Sequence, residues 1–199
     1  LGSPCRIIAG ACGVNAFGLP DVMRGEEIQL IGLAAQYPQE RHLVILPGTH
    51  SKHATLEHDH ILHFNTFMTG EIYAVMLNHS LLGKDLPEPC EDNPAFTLGV
   101  QNAQTAPYLS NALFSTRTLK LSGAISAAQV ASYLSGLLIG SELAALSETQ
   151  AWIVGSPALS ERYTRAASLL GITLTSVDGD SCFIHGMSKI YQSLDGAFA

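Results

Sequence analysis

The chain has 199 residues, of which 47% are apolar and 14% charged, and its formal charge is −7. That much apolar content supports a packed core of one large domain and excludes a disordered chain. The acidic balance argues against a nucleic-acid surface, which needs a basic face, whereas a nucleotide ligand needs only a local electropositive pocket.

The chain opens Leu-Gly-Ser-Pro, without Met, and a short strand is expected at once over residues 6–10, so the sequence reads like a fragment whose N-terminal portion is missing. Glycines and Pro20 punctuate a loop up to residue 20. Asp21 is a candidate cap for a helix over 22–35, with Glu26 and Glu27 in its first turns, where the helix dipole favours negative charge. Residues 43–47 read as a buried strand. Residues 53–57 and 61–65 read as a hairpin around His58-Asp59-His60, with Leu56, Leu62 and Phe64 on one face. A helix is expected over 70–82, a Pro-rich loop over 83–95, helical structure over 95–117 and a long helix over 126–147. In that long helix Val130, Leu134, Leu137 and Leu138 line the apolar side. Ser135, Ser141 and Glu142 interrupt the apolar run, which therefore reads as a buried helix and not a membrane one. Strand 151–156, helix 158–170 closed by Gly171, strand 172–177 and a last helix over 181–194 complete an α/β pattern.

The four cysteines, Cys5, Cys12, Cys90 and Cys182, form no CxxC pair, as in a protein whose thiols stay reduced. No charged-then-apolar signal pattern starts the chain, and no apolar run is long enough for a bilayer. A soluble cytoplasmic protein without nucleic-acid or membrane partners is the expectation.

Four constellations carry chemistry. The strand at 43–47 hands over to Gly48-Thr49-His50-Ser51-Lys52. Glycine admits close approach of an anion, Thr and Ser donate, and Lys supplies a point charge. The Walker pattern G-x-x-x-x-G-K-[ST] is absent, and a plain tight turn would look the same. Val154-Gly155-Ser156-Pro157 is a second strand-to-helix junction, able to present backbone N–H groups to a ligand or to act as an ordinary turn. Asp21-Val22-Met23-Arg24-Gly25-Glu26-Glu27 gathers carboxylates and an arginine. In a cleft a Glu could take a hydroxyl proton and Arg24 could grip a carboxylate, and on the surface the same run is a solvated helix start. The histidines His50, His53, His58, His60 and His63 make a metal site conceivable, but no metal ligands are assigned.

The ordered set Val22-Met-Arg-Gly-Glu-Glu, Pro47-Gly-Thr-His-Ser-Lys, Met68-Thr-Gly-Glu, Asn78-His-Ser-Leu-Leu and Tyr133-Leu-Ser-Gly-Leu-Leu-Ile-Gly resembles the 2-dehydro-3-deoxygalactonokinase family of the actin-like ATPase superfamily. The resemblance runs from about Arg6 onward. It implies a ribonuclease-H-like, actin-type domain with a mixed sheet flanked by helices, mainly the C-terminal half of a two-domain sugar kinase. Residues 1–40 would be a remnant of the first domain and an interdomain helix, and residues 41–199 the nucleotide-binding domain. The implied reaction is ATP-dependent phosphorylation of 2-dehydro-3-deoxy-D-galactonate at its 6-hydroxyl, with ATP and Mg2+ as cofactors.

In that scheme Gly48, Thr49, His50, Ser51 and Lys52 meet the ATP phosphates, and Gly155, Ser156 and Leu159 meet adenosine. Glu26 or Glu27 takes the place of the catalytic carboxylate, which is usually Asp in the superfamily, and Asp21 and Arg24 bind the sugar acid. The strand–Asp–Gly–hydroxyl turn that opens such kinases does not open this chain, so weak or no turnover is expected from these 199 residues alone. Oligomeric state is open, a homodimer among the options. The competing readings are a non-catalytic nucleotide- or sugar-acid-binding module of the same fold, and a metal-dependent hydrolase built on the His-rich hairpin.

Overall fold

A computed structural model describes residues 7–38, 41–58 and 60–195. It begins with a small antiparallel hairpin, β1 (Ala11–Val14) and β2 (Pro20–Met23), followed by α1 (Glu26–Gln36). A five-stranded sheet is then laid down in the order β5-β4-β3-β6-β7. Its strands are β3 (Arg41–Leu46), β4 (Ser51–Glu57), β5 (His60–Phe67), β6 (Gln150–Gly155) and β7 (Thr173–Asp178). β4 runs antiparallel to both β3 and β5, whereas β6 runs parallel to both β3 and β7. Between β5 and β6 come α2 (Thr69–His79), α3 (Asn93–Thr105), α4 (Leu109–Ser122), a one-turn 3-10 segment (Ala127–Gln129) and α5 (Val130–Leu143). α6 (Pro157–Leu169) joins β6 to β7, and α7 (Gly179–Asp195) follows β7.

Strand alternation puts two apolar layers on opposite sides of the sheet. Val44, Leu46, Ala54, Leu56, Val154 and Val177 pack against Leu30 and Leu33 of α1 and Cys182 of α7. Ile45 and Ile153 point the other way, into Phe96 and Val100 of α3, Ile139 and Leu143 of α5, and Tyr163 and Ala166 of α6. α5 is therefore buried almost all round, as its apolar sequence required. Among the described residues no helix is long and apolar enough to cross a membrane.

Several expectations need correction. Arg6 lies outside the described residues, and residues 7–10 form no strand; pairing begins at Ala11, opposite Met23. Val22 and Met23 belong to a strand and not to a helix. Asp21 does not cap α1: its carboxylate accepts from the Thr66 backbone N–H at 2.8 Å and from the Thr66 hydroxyl at 2.5 Å, stitching β2 to β5. The helical stretch expected over 95–117 is two helices, α3 and α4, interrupted at Pro107, which disfavours helix in the residue before it. The helix expected to run to 147 stops at Leu143.

Alternation puts Leu62 on the face of Leu56 and Phe64, yet it is exposed. The β4–β5 register shifts between Thr55 and Leu56, so Ile61 lies opposite Leu56 and Leu62 is the extra residue of a bulge. Leu62→Ser should therefore change stability by no more than about 0.5 kcal/mol, while Phe64→Ala should cost about 3–5 kcal/mol. Urea unfolding of the two variants checks the difference.

Candidate active site

Chain order departs in two directions from the middle of the sheet. β3, β4 and β5 step one way, and β6 and β7 step the other. The carboxyl ends of the parallel neighbours β3 and β6 therefore flank a crevice, the place where open α/β sheets bind ligands. Both glycine turns singled out in the sequence sit there, and Pro47 stands against Gly155. The start of antiparallel β4 and the end of β5 reach the same edge, which brings Lys52 and Thr66 to it as register partners.

Beside the turn opens a cleft of about 700 Å³, lined by Asp21, Arg24, Glu26, His50, Lys52, Thr66 and Met68 among others. Lys52 is only 4% exposed, and it has no carboxylate partner among the described residues. Four of the expected site residues, Asp21, Arg24, His50 and Lys52, thus meet one of the two candidate carboxylates in a single cavity. Glu26 lines the cleft and its carboxylate accepts from the Arg24 backbone N–H at 2.9 Å. Glu27 is buried outside this lining and accepts from the Gly25 N–H at 2.7 Å. The two glutamates reach back to the backbone N–H groups just before α1, as the Glu of a capping box does, while the N-cap residue Gly25 makes no side-chain capping bond.

Gly48 and Leu159 share a second, smaller pocket with Gly70, Leu138, Ile139 and Arg162. Ser156 is the N-cap residue of α6, exposed and without a side-chain capping bond, so the first N–H groups of that helix are open toward the crevice edge. Thr49 is exposed on the turn.

The start of α2 holds the turn in place. The Glu71 N–H donates to the Thr49 carbonyl at 3.0 Å, and the Glu71 carboxylate meets His50 Nε2 at 2.5 Å. Gly70 allows this contact, because a Cβ there would lie 2.5 Å from the Gly48 carbonyl oxygen. Ser51, expected to meet phosphate, is fully buried, and its hydroxyl donates to Glu142 at 2.6 Å.

Glu142 is the residue that sequence reasoning missed. It lies almost wholly buried near the end of α5. Oε1 accepts from Ser51 and pairs with His53 Nε2 at 2.9 Å, and Oε2 accepts from the Tyr163 hydroxyl at 2.7 Å and from the Thr69 hydroxyl. Burial first, and then the Glu142 charge, push the Tyr163 phenol well above its ordinary value, so it stays a donor. The signal in the sequence was a lone carboxylate in an apolar helix, which counted only against a membrane span. Thr69 and Glu71 were likewise visible in Met68-Thr69-Gly70-Glu71, without a role. Among the described residues no group of three or more His, Cys, Asp or Glu side chains could hold a metal ion.

Comparison with known proteins bears on the whole chain. A family model described as 2-keto-3-deoxy-galactonokinase matches residues 1–190. The 2-dehydro-3-deoxygalactonokinase of Escherichia coli (strain K12) is 37% identical over 199 residues, covering 98% of this chain and 67% of its own length. DgoK1 of Rhizobium meliloti (strain 1021), named as a probable enzyme of the same kind, is 39% identical over 184 residues, 88% of this chain and 60% of its own. A crystal structure described as that of a putative 2-dehydro-3-deoxygalactonokinase from Sinorhizobium meliloti matches with a TM-score of 0.85 at 36% identity, over 93% of this chain and 64% of that one. The chain spans about 60–67% of the length of these relatives. With a family model covering all but its last residues and relatives this similar in sequence and fold, the chain belongs to the 2-keto-3-deoxy-galactonokinase family.

Proposed function

We propose that the full-length protein transfers the γ-phosphoryl group of MgATP to the 6-hydroxyl of 2-dehydro-3-deoxy-D-galactonate. The observation that carries this reading is the meeting, at one sheet edge, of two glycine turns with a cleft that is lined by Arg24, Glu26 and a nearly buried Lys52 with no carboxylate partner among the described residues. The sheet order, three strands joined antiparallel and then two added in parallel, with helices on both faces, supports a ribonuclease-H-like domain of the actin type. Residues 41–199 are then the nucleotide-binding domain and α1 the interdomain helix, laid along α7.

Phosphoryl transfer asks a protein mainly for positioning and charge neutralisation. Gly48, Thr49 and His50 would present the turn to the β- and γ-phosphates, and Lys52 would offset the charge that builds on the transferred group. Gly155, Ser156 and Leu159 would hold the adenosine end, with the N-terminus of α6 favouring the phosphates. Arg24 would take the substrate carboxylate through its planar fork. Asp21, engaged with Thr66, would hold the strand that carries Arg24. Glu26 would accept the hydroxyl proton, the assignment that cleft lining favours over Glu27. Mg2+ enters with the nucleotide, and it commonly takes only one or two protein carboxylates. Asp21 is engaged with Thr66 through both carboxylate oxygens and Glu26 is assigned to the proton, so the ion would be held mainly by the nucleotide phosphates and water.

A coupled ADP-release assay on the full-length protein tests the reading. ADP formation should depend on 2-dehydro-3-deoxygalactonate, and the product should carry one phosphate ester at C6 by phosphorus NMR. Nucleotide-dependent stabilisation without sugar-acid-dependent ADP release would instead favour a non-catalytic binding module.

A further inference from the structure

We infer that Glu142 is a positioning residue that locks the phosphate turn to the adenosine side of the crevice. The inference rests on the functional reading above and extends it to a residue outside the cleft. A carboxylate only accepts hydrogen bonds and has about four acceptor positions. Here four side chains fill them: Ser51 and His53 on Oε1, Thr69 and Tyr163 on Oε2.

These four belong to β4, α2 and α6, the elements that bracket the crevice. Ser51 and His53 stand on either side of Lys52 in β4. Pinning both on one face of the strand directs Lys52 to the other face, into the cleft. Thr69 begins α2, whose next two residues hold the Gly48–Thr49 backbone and His50. Tyr163 comes from α6, the helix that starts at Ser156. One carboxylate therefore ties the direction of Lys52, the height of the turn and the seat of α6 to one another. A glutamine there would turn its NH2 group toward two of the four donors, so charge and acceptor count both matter.

The test compares Glu142→Gln, Glu142→Asp and Ser51→Ala with Val100→Ala, a core truncation between α3 and α5 that lies outside this network, in the full-length protein. Ser51 is fully buried, so its truncation removes one donor without touching the cleft lining. Expected are a rise in KM for ATP of roughly 10–100-fold in Glu142→Gln, a smaller rise in Ser51→Ala, partial recovery in Glu142→Asp, and an unchanged KM for the sugar acid. Hydrogen exchange of amides 48–52 and 69–71 should quicken in the same variants, while that of 150–155 stays as in the parent. The inference is overturned if Glu142→Gln and Ser51→Ala behave as Val100→Ala does, melting lower but keeping the parental KM for ATP and the parental exchange in the turn. Should the parent protein show no sugar-acid phosphorylation, the functional reading falls alone, and the exchange measurement still decides the role of Glu142. Should Glu142→Gln not fold, Ser51→Ala decides it by both readouts.

Discussion

Glu26→Gln is expected to lower kcat of the full-length protein by about 10²–10⁴-fold, the usual contribution of a positioned general base. The carboxamide oxygen can still accept from the Arg24 backbone N–H, so the start of α1 survives, but the side chain can no longer take a proton. Glu27→Gln should behave in the opposite way. Glu27 lies buried against the Gly25 N–H, outside the cleft lining, and loss of its charge should cost about 1–2 kcal/mol of stability with kcat little changed. Measuring kcat and urea midpoint for both variants separates the two carboxylates, which are adjacent in sequence and a helical step apart in direction. A large kcat loss in Glu27→Gln with none in Glu26→Gln would move the base to Glu27.

Gly136→Val should be among the most damaging single changes in the helical layers. α3 and α5 touch backbone to backbone at this point: a Cβ on Gly136 would lie 2.0 Å from the Phe96 carbonyl oxygen. No side chain can rotate away to make room, so the helices must separate. Overpacking of this kind costs typically 1–3 kcal/mol and here, against a fixed carbonyl, about 3 kcal/mol or more. That is a large share of the roughly 5–15 kcal/mol that holds an ordinary domain together. A lower urea midpoint at unchanged slope would report it. A midpoint equal to that of the parent would show that the α3–α5 contact is looser than the geometry indicates.

The sheet was largely legible from sequence because its central strands are short apolar runs ended by Gly or Pro, and because α6 is bracketed by Pro157 and Gly171. Both glycine turns could be placed for the same reason. What escaped depended on partners far along the chain. Asp21 looks like a cap until Thr66, 45 residues away, is seen to claim its carboxylate. Leu62 follows the alternation of its own strand and is displaced by a bulge that only the pairing with β4 reveals. Glu142 is the sharpest case. Its meaning lies in Ser51, His53, Thr69 and Tyr163, none of which is near it in sequence, so local pattern reading saw one polar interruption in an apolar helix.

All of the proposed chemistry sits at one edge of the sheet, and this has a practical side. The other edge, where β3 begins at Arg41, β6 at Gln150 and β7 at Thr173, is separated from it by strands of six residues, roughly 20 Å. The short turn between α6 and β7 at Gly171 is therefore a natural place for a fluorescent reporter or surface tether. A label there would ride on the same rigid sheet as the crevice without meeting anything bound in it.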